Sequence, residues 1–386
     1  MGIHKLFNKN QTLVVIFTAF SGCILHAASH TASETNPFQT SAAQELKKEL
    51  QEQNLLKIYF SGNLAGSKES CGCALNPKGG FERRYNFLKK EGLLEKQRPE
   101  NTLVLDFGNL LFKNENITQF EKKPALQNAE KMIQASNFFQ YDALNFGNLD
   151  RSLSQDDLQK ILGSSHFPWL ATNVFPSSRF GATFKRRLSL KLKNSDVLLM
   201  GLSSISEGDT IQGWRSEDPH SVLLTELKNT PATTLPIVLS DLDVNELMKI
   251  AADIKRPIIF LGSPEMGGWD RPLEIGQALL LHLRHQGQDW GVLKVPTKWD
   301  NKQGWYNPSE TEILAKRWND LTEENLKLRE LASSSEKSIE IKNLENKAQE
   351  LKALAPSAQK DIPFSFETVE MNSSFQGINK VSKYMK

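Results

Sequence analysis

The sequence lacks an excess of charge of either sign, a long apolar run and an abundance of cysteine. Its 386 residues carry a formal net charge of +2 with 24% charged residues, so the chain has no nucleic-acid-binding signature. The apolar stretch at 13–25 is shorter than the roughly 20 residues that span a bilayer. Only three cysteines are present, and no C-x-x-C-H motif supports covalent haem. With 39% hydrophobic residues, the chain is predicted to be globular, with its function in local features.

Residues 1–29 have the layout of a secretory signal. Lys5 and Lys9 precede the apolar stretch, and small residues at 27–29 follow it. We therefore predict an exported protein, periplasmic or associated with the cell envelope. Two alternatives stay open. The segment is retained as a membrane anchor, or the chain is lipidated at Cys23, because Phe-Ser-Gly-Cys resembles a bacterial lipoprotein cleavage box.

Short apolar strands alternate with helical segments between residues 55 and 307. In chain order the strands are LLKIYFSGN, NTLVLDFGN, YDALNFGN, FPWLATNVF, SDVLLMGLSS, LPIVLSD and RPIIFLG. This alternation predicts a layered α/β or α+β domain at 55–307, after a polar helical lead-in at 30–54. Ser154 is predicted to cap a helix. The stretch at 277–296 is predicted to form an antiparallel hairpin that turns near Gly287.

After residue 307 the composition changes to charged segments with a narrow apolar seam. Leucines recur seven residues apart at 314, 321 and 328, and apolar residues recur at helical spacing from 341 to 355. The pattern predicts a helical region at 308–360, either a hairpin or one long coiled-coil-like rod, which offers a surface for a protein partner. Residues 361–386 are predicted to form one more strand and a terminal helix.

Polar residues follow the apolar strands in a recognisable order. The segments are GNLAG at 62–66, GN at 108–109, YDALNFGNLD at 141–150, LSD at 239–241 and GSPE at 262–265. This order resembles that of the calcineurin-like metallophosphoesterases, in their 5'-nucleotidase branch. The resemblance implies a four-layer α/β fold, a β-sandwich flanked by helices, followed here by a C-terminal helical appendage. It also implies a phosphoric-ester hydrolase with two divalent metal ions.

The residues that would bind those metals are mostly replaced in this chain. The positions that correspond to the family's ligands and acidic or imidazole groups hold Asn63, Ala65, Asn109, Asn148, Leu149, Asp241 and Glu265. Of these, Asn148 keeps a standard ligand type, while Leu149 replaces the histidine that would meet the leaving group. A two-metal site needs carboxylates and neutral imidazoles, so ordinary phosphatase activity is not expected.

Two interpretations of the remaining oxygens stay open. Asn63, Asn109, Asn148, Asp241 and Glu265 would form an all-oxygen cluster, and hard cations such as Ca²⁺ or Mg²⁺ prefer oxygen ligands. In the other interpretation the pocket is vestigial, and its amides hydrogen-bond one another and the strand-end backbone.

Two of the three cysteines, Cys71 and Cys73, lie one residue apart in SCGCALNPKGGFERR, at 70–84. The glycine between them permits a tight backbone. Arg83 and Arg84 would favour thiolates or bind an anion if the loop folds back near them. The segment resembles that of UshA-like (seleno)proteins, exported bacterial proteins with C-G-C before a G-G-x-x-R-R-like run. The pair is predicted to be a redox or thiol-binding site, or else a structural brace of its loop.

These observations leave three functions open. The first is an exported, catalytically impaired phosphoesterase-like protein with thiol chemistry at its C-G-C. The second is a noncatalytic scaffold or interaction protein that binds a partner through residues 308–360. The third is a working nucleotide phosphatase, which follows from the family resemblance alone.

Overall fold

Two β-sheets pack face to face in the computed structural model of this chain, with helices on their outer sides. The residues that the structure describes are 35–51, 54–71, 76–95, 98–176, 184–206, 209–210, 212–262, 271–284, 286–299, 302, 304–331, 335–357 and 360–385. From Asn36 onward the chain forms one compact unit.

Strands and helices alternate along most of the chain. The strands are β1 (Leu55–Ser61), β2 (Thr102–Asp106), β3 (Ala143–Asn145), β4 (Trp169–Leu170), β5 (Val174–Pro176), β6 (Phe184–Lys185), β7 (Arg187–Lys191), β8 (Asp196–Leu202), β9 (Trp214–Ser216), β10 (Thr234–Ser240), β11 (Ile258–Gly262), β12 (Leu273–Ile275), β13 (Ala278–His282), β14 (Asp289–Pro296), β15 (Gly304–Tyr306), β16 (Asp361–Pro363) and β17 (Ser365–Glu370). The helices are α1 (Ser41–Glu49), α2 (Phe81–Lys90), α3 (Gln119–Ser136), α4 (Gln155–Leu162), α5 (Pro219–Lys228), α6 (Val244–Asp253), α7 (Thr311–Glu330) and α8 (Ser335–Lys352). Short 3₁₀ turns lie at Leu149–Arg151, Pro308–Glu310, Ser373–Phe375 and Ser382–Tyr384.

The first sheet has the strand order β17-β14-β1-β2-β3-β4-β6. Strands β1, β2, β3, β4 and β6 run parallel, whereas β14 is antiparallel to β1 and β17 is antiparallel to β14. Parallel strands covered on both faces consist of nearly continuous apolar residues, which is why TLVLD is buried throughout. The carboxyl ends of the parallel strands meet at one edge, where the polar loops begin.

The second sheet has the order β12-β13-β11-β10-β8-β7. Its four central strands are parallel, and the two edge strands, β7 and β12, are antiparallel to their neighbours. Two small pairs, β5 with β9 and β15 with β16, lie outside the main sheets.

Apolar layers hold the four structural layers together. Examples of fully buried side chains are Ile58 and Leu199 between the sheets, Ile133 on the outer side of the first sheet and Ile250 on the outer side of the second. Burying one such aliphatic side chain contributes about 1.5–3 kcal/mol. The helix–sheet–sheet–helix arrangement confirms the predicted four-layer α/β fold. The predicted cap is also confirmed, because the Ser154 hydroxyl accepts the Asp157 N–H at the start of α4.

The predicted hairpin at 277–296 is wrong. A turn does occur at Gln286 and Gly287, which both have positive φ, but the two strands beside it belong to different sheets. Strand β13 pairs with β11 and β12, whereas β14 pairs with β1 and β17. Each strand is buried between two neighbours of its own sheet, so neither has an edge left for the other.

The charged C-terminal segments form a helical hairpin, the first of the two predicted alternatives. Helices α7 and α8 contact each other, and Arg329 pairs with Glu345 across them. A small apolar cluster of Phe38, Trp318 and Leu351 joins the hairpin to the segment before α1. The described part of the lead-in, which includes Phe38 and α1, therefore packs against the C-terminal helices.

The last segment departs from its prediction. It provides a strand, β17, which extends the first sheet, but the predicted terminal helix is replaced by two 3₁₀ turns. Asn372 caps the first turn, Gly377 adopts a φ of 151°, and Asn379 donates to the backbone of Glu82. These Asn and Gly residues bond locally or to α2, which competes with an α-helix. The predicted boundaries at 307 and 360 stay predictions.

Among the described residues, no helix combines the length and apolarity needed to cross a bilayer. The predicted signal at 1–29 lies outside the described residues.

Candidate functional site

Strand-end loops of both sheets meet at one edge of the molecule. Asn63 follows β1, Asn109 follows β2, Asn148 follows β3 and Asp241 follows β10. The Asn63 N–H donates to the carbonyl before Asn109 at 2.7 Å, and the Asn148 N–H donates to the Asp241 carboxylate. These four residues, called the strand-end cluster below, are thus brought together by the fold. The fifth predicted member, Glu265, lies outside the described residues.

Asn109 uses its side chain to hold the neighbouring loop. Its Oδ1 accepts the Leu149 N–H at 2.9 Å. Gly147 is required for this approach, because a Cβ there would lie 2.3 Å from the Asn109 Oδ1. Asn109 itself has a φ of 56°, in the left-handed region that asparagine tolerates. The oxygen that stands in place of the family's carboxylate therefore faces a backbone N–H.

Both carboxylate oxygens of Asp241 accept hydrogen bonds. Oδ1 accepts the Ser204 N–H at 2.9 Å, and Oδ2 accepts the Ser203 hydroxyl at 3.1 Å as well as the Asn148 N–H. Burial raises the pKa of Asp241, and the neighbouring Arg151 opposes that shift. Three donors of the protein thus engage this carboxylate.

Asp150 anchors the loops from beneath. It is fully buried and accepts the N–H groups of Asn109, Leu111 and Gly147 at 2.9, 2.7 and 3.0 Å. Burial raises the pKa of this carboxyl to about 7, although the N–H donors act in the opposite direction. Asp150 ends the YDALNFGNLD segment, but the sequence alone assigns it no role. Its position could have indicated a role, because Asp150 directly follows Leu149, where the resembled family has a histidine.

Asn148 is held on both sides of its amide. Its Nδ2 donates to Glu115 Oε1 at 2.6 Å, and its Oδ1 accepts from Arg151 Nη2 at 3.3 Å. Arg151 also forms a buried ion pair with Asp209, at 2.7 Å. Sequence reasoning missed Arg151 and Asp209, because nothing in the local sequence connects residues so far apart along the chain.

The described cluster does not fit the two divalent ions that the family resemblance implies. Its members are three amides and one carboxylate, and the oxygens of Asn109 and Asp241 already face protein donors. In the described part of the chain, no group of three or more His, Cys, Asp or Glu side chains is arranged to hold a metal ion. Lost imidazoles and lost carboxylate charge both lower the affinity for transition metals.

Arg84 forms a second buried ion pair, below the ends of β1 and β2. Its Nη2 lies 3.6 Å from Asp106 Oδ2, and both side chains are fully buried. The guanidinium lies 4.9 Å from the ring centre of Trp290, and Nη2 donates to the Tyr141 hydroxyl at 3.2 Å. Burial raises the pKa of Asp106 to about 6, and Arg84 lowers it less than burial raises it. The predicted anion-binding side chain thus bonds groups of the protein itself, away from solvent.

Cys71 and Lys78 close the loop that carries the C-G-C. The Cys71 N–H donates to Lys78 O at 2.8 Å, and the Lys78 N–H donates to Cys71 Sγ at 3.1 Å. Arg83 donates to Pro77 O, so this side chain braces the same loop. Cys73 lies outside the described residues, and the proposed pairing of the two cysteines stays a prediction. The described parts of this segment, 67–71 and 76–80, are called the thiol loop below.

A groove of about 320 Å³ borders the thiol loop. Residues from Ser67 to Cys71 and Gln286 line it. Gln286 donates its N–H to Asn63 O at 2.6 Å, which connects the groove to the strand-end cluster. Asn63 and Gln286 both have positive φ, a sparsely populated conformation that tertiary contacts must hold in place. The thiol loop therefore lies beside the strand-end cluster, with Cys71 half-buried at the groove.

The chain is similar in fold to solved nucleotidase structures. One is a 5'-nucleotidase precursor from Thermus thermophilus, with 19% sequence identity, a TM-score of 0.50, and coverage of 62% of this chain and 51% of that chain. Another is the NAD nucleotidase (NadN) of Haemophilus influenzae, with 17% identity, a TM-score of 0.51, and coverage of 62% and 47%. No protein-family model and no curated protein matches the sequence.

The chain spans about half the length of these two structures. At such low identity the likeness establishes the fold and leaves the activity to be argued from the site. The narrower assignment to UshA-like (seleno)proteins stays a prediction. The chain shares the four-layer α/β fold of these two solved structures, which is the fold that the strand-end motifs indicated.

Proposed function

We propose that this chain is an exported phosphoesterase-fold protein that does not hydrolyse phosphate esters by a two-metal mechanism. In place of that chemistry, Cys71 and Cys73 carry thiol redox or thiol-binding chemistry. Two observations carry the proposal. The side-chain oxygens of Asn109 and Asp241 accept hydrogen bonds from neighbouring loops, and Cys71 lines a groove beside them.

The hydrogen bonds of the strand-end cluster support the proposed loss of phosphate-ester hydrolysis. A two-metal hydrolase activates a hydroxide between its ions and binds the phosphoryl oxygens with them. Here Asp241 accepts three hydrogen bonds and Asn109 accepts one, so their oxygens face donors where cations would be needed. Leu149 has no proton to offer a leaving group.

The thiol loop supports the second half of the proposal. Lys78 holds the Cys71 sulfur in place through a hydrogen bond to Sγ, and such bonds favour the thiolate, the reactive form. In exchange with a partner's disulfide, one cysteine attacks a partner sulfur as its thiolate, which breaks the partner's S–S bond, releases one partner thiol and forms a mixed disulfide. The other cysteine then attacks the sulfur of the first, which breaks the mixed disulfide, forms the bond between Cys71 and Cys73 and releases the second partner thiol. Two electrons and two protons thus pass from the dithiol to the partner.

Thiol titration tests this chemistry. Purified protein is equilibrated in glutathione or dithiothreitol redox buffers, quenched with a maleimide and analysed by mass spectrometry. We expect Cys71 and Cys73 to gain and lose labels together at one potential. Cys71→Ser and Cys73→Ser should each abolish the paired transition, while Ser70→Ala should keep it. A pair that stays locked in one state across the buffers would contradict the proposal.

Phosphate release tests the hydrolytic half. Nucleotides, NAD and a general aryl phosphate are incubated with the protein and Mn²⁺, Mg²⁺ or Ca²⁺. We expect no release above that of a heat-inactivated sample. Metal-dependent turnover that disappears in an Asn148→Ala variant would establish the alternative, a working phosphatase.

Export is tested separately. We expect mature protein in the periplasmic or envelope fraction, with a new N-terminus near residue 29. Recovery of the full-length chain in the membrane fraction would instead favour the retained anchor, and a lipid-modified Cys23 would favour lipidation.

A second candidate function rests on the helical hairpin. Exposed apolar side chains on and beside α7 and α8 include Leu326, Leu331 and Ile339, each at least 60% exposed. Such residues support binding of a protein partner. Leu326→Gln with Leu331→Gln should then reduce recovery of a co-purifying protein. Unchanged recovery would count against an interaction at this surface.

A further inference from the structure

Arg151 places a positive charge inside the strand-end cluster. The residue ends the 3₁₀ turn Leu149–Arg151, three residues after Asn148, and is 1% exposed. A guanidinium keeps its charge in proteins, so burying it requires oxygens around it, at least some of them charged. The oxygens that surround Arg151 therefore show which negative groups its charge compensates.

Asp209 provides the counter-charge. Arg151 Nε lies 2.7 Å from Asp209 Oδ1, and Nη2 lies 3.1 Å from Oδ2, so the two groups meet fork to fork. Asp209 is 2% exposed and also accepts the Ser206 N–H at 3.0 Å. The pair is therefore buried and fixed in orientation.

The same guanidinium reaches the predicted metal ligands. Its Nη2 donates to Asn148 Oδ1 at 3.3 Å, and its Nη1 donates to the Ser203 hydroxyl at 2.6 Å. Ser203 in turn donates to Asp241 Oδ2 at 3.1 Å. Arg151 thus contacts one predicted ligand directly and another through a single hydroxyl.

A divalent ion bound by Asn148 and Asp241 would lie beside this guanidinium. Like charges repel, and the repulsion is stronger when one of them is buried, as Arg151 is, because the effective dielectric constant around it is lower than in water. Such an ion would also have to displace the hydrogen bonds that Arg151 and Ser203 make to those two residues. The guanidinium compensates the negative charge of Asp209 and Asp241, and it joins loops that follow strands of both sheets, as a bound metal ion would.

We infer that Arg151 is a built-in cation that takes the place of a divalent metal ion in the strand-end cluster. The protein stabilises this edge of its fold with its own side chain and needs no metal there. This inference rests on the half of the proposed function that excludes a metal pair, and it is independent of the thiol chemistry.

Removal and replacement of the charge test the inference. Arg151→Ala leaves Asp209 and Asp241 without their cation and opens space at the cluster. We expect its melting temperature to fall, and to be restored in part, and saturably, by millimolar methylguanidinium or by Ca²⁺ or Mg²⁺. The wild-type protein, after dialysis against a chelator, should melt unchanged and show no shift with the same ions.

Arg256→Ala is the matched control. Arg256 is half-buried, whereas Arg151 is buried, and it donates to the carbonyls of Thr230, Pro231 and Thr234, with no carboxylate among these partners. We expect this variant to be destabilised as well, but to gain nothing from methylguanidinium or divalent ions beyond the wild-type response.

A second pair of variants covers the case in which Arg151→Ala does not fold. Arg151→Lys keeps the charge, whereas Arg151→Met keeps much of the volume without it. We expect the lysine variant to melt at the higher temperature. An equal or lower melting temperature for Arg151→Lys would overturn the inference, as would rescue of Arg256→Ala equal to that of Arg151→Ala.

Metal analysis separates the two proposals. Stoichiometric metal in the wild-type protein, or a saturable shift of its melting temperature with a divalent ion, would overturn both this inference and the exclusion of a metal pair. Failed rescue of folded Arg151→Ala, with wild-type protein free of metal, would overturn only the inference.

Discussion

The strand-end cluster and the thiol loop lie side by side, and they differ in where they place their functional atoms. In the cluster, Asn109, Asn148 and Asp241 bond neighbouring loops, and Arg151 supplies a buried charge. In the thiol loop, Cys71 is half-buried and lines a groove, and its sulfur accepts the Lys78 N–H. The difference indicates that the strand-end loops contribute to stability, whereas the thiol chemistry that we propose would take place beside them, at the groove.

The largest expected effect comes from Asp150, which bonds three loop N–H groups beneath the cluster. Asp150→Ala leaves these groups without their acceptor in a buried site, and each unsatisfied group costs about 1–3 kcal/mol. We expect the free energy of unfolding to fall by about 3–5 kcal/mol in urea denaturation. Asp156→Ala, at an exposed position of α4, should change it by less than about 1 kcal/mol. Equal losses of unfolding free energy in the two variants would show that the hydrogen bonds of Asp150 stabilise the fold no more than an exposed surface residue does.

The next effect concerns pH and the Asp106–Arg84 pair. Because burial raises the pKa of Asp106 to about 6, the folded protein holds this proton more tightly than the unfolded chain does. The contribution to stability is complete below about pH 4 and is lost as the pH rises through 6, a change of about 3 kcal/mol. The free energy of unfolding of the wild type minus that of Asp106→Asn should therefore decrease as the pH rises through this window. An increase would show that Arg84 lowers the pKa of Asp106 by more than burial raises it.

A smaller effect is expected at Ser203, which links Arg151 to Asp241. Ser203→Ala removes one hydrogen bond to a guanidinium and one to a carboxylate, and we expect a loss of about 2 kcal/mol. Ser195 is the control, because its buried hydroxyl has no hydrogen-bond partner among the described residues. Ser195→Ala should change stability by less than about 0.5 kcal/mol. If the two variants were equally stable, the link between the guanidinium and the cluster would carry no energy.

The smallest effect on stability is expected at Cys71. In Cys71→Ser the hydroxyl oxygen can accept the Lys78 N–H as sulfur does, so the free energy of unfolding should change by less than about 0.5 kcal/mol. Maleimide labelling of reduced protein should lose one equivalent. A loss of several kcal/mol would identify the cysteine as a structural brace and would weaken the contrast between the two regions.

Local patterns in the sequence predicted much of the fold. The alternation of strands and helices predicted a layered α/β domain, and the family resemblance of the polar strand-end segments implied the four layers and the convergence of Asn63, Asn109, Asn148 and Asp241. The Ser154 cap was predictable because its partner, the Asp157 N–H, lies three residues away. These features depend on neighbours in sequence or on a motif order that survives in the chain.

The long-range ion pairs could not be predicted from the sequence. Nothing near Arg84 indicates Asp106, and nothing near Arg151 indicates Asp209, because each pair joins segments that only the folded sheets bring together. The hairpin prediction failed for the same reason. Strands β13 and β14 are adjacent in sequence and apolar on both faces, so the pattern gives no sign that they enter different sheets.

The position of β14 has a consequence for biosynthesis. This strand pairs with β1 in the first sheet, with Pro296 opposite Leu55, and only the still later β17 covers its other side. During synthesis, one edge of β1 has no pairing partner until β14 emerges, which is after every strand of the second sheet. Unpaired strand edges promote aggregation. We expect the nascent chain to need a chaperone for most of its synthesis.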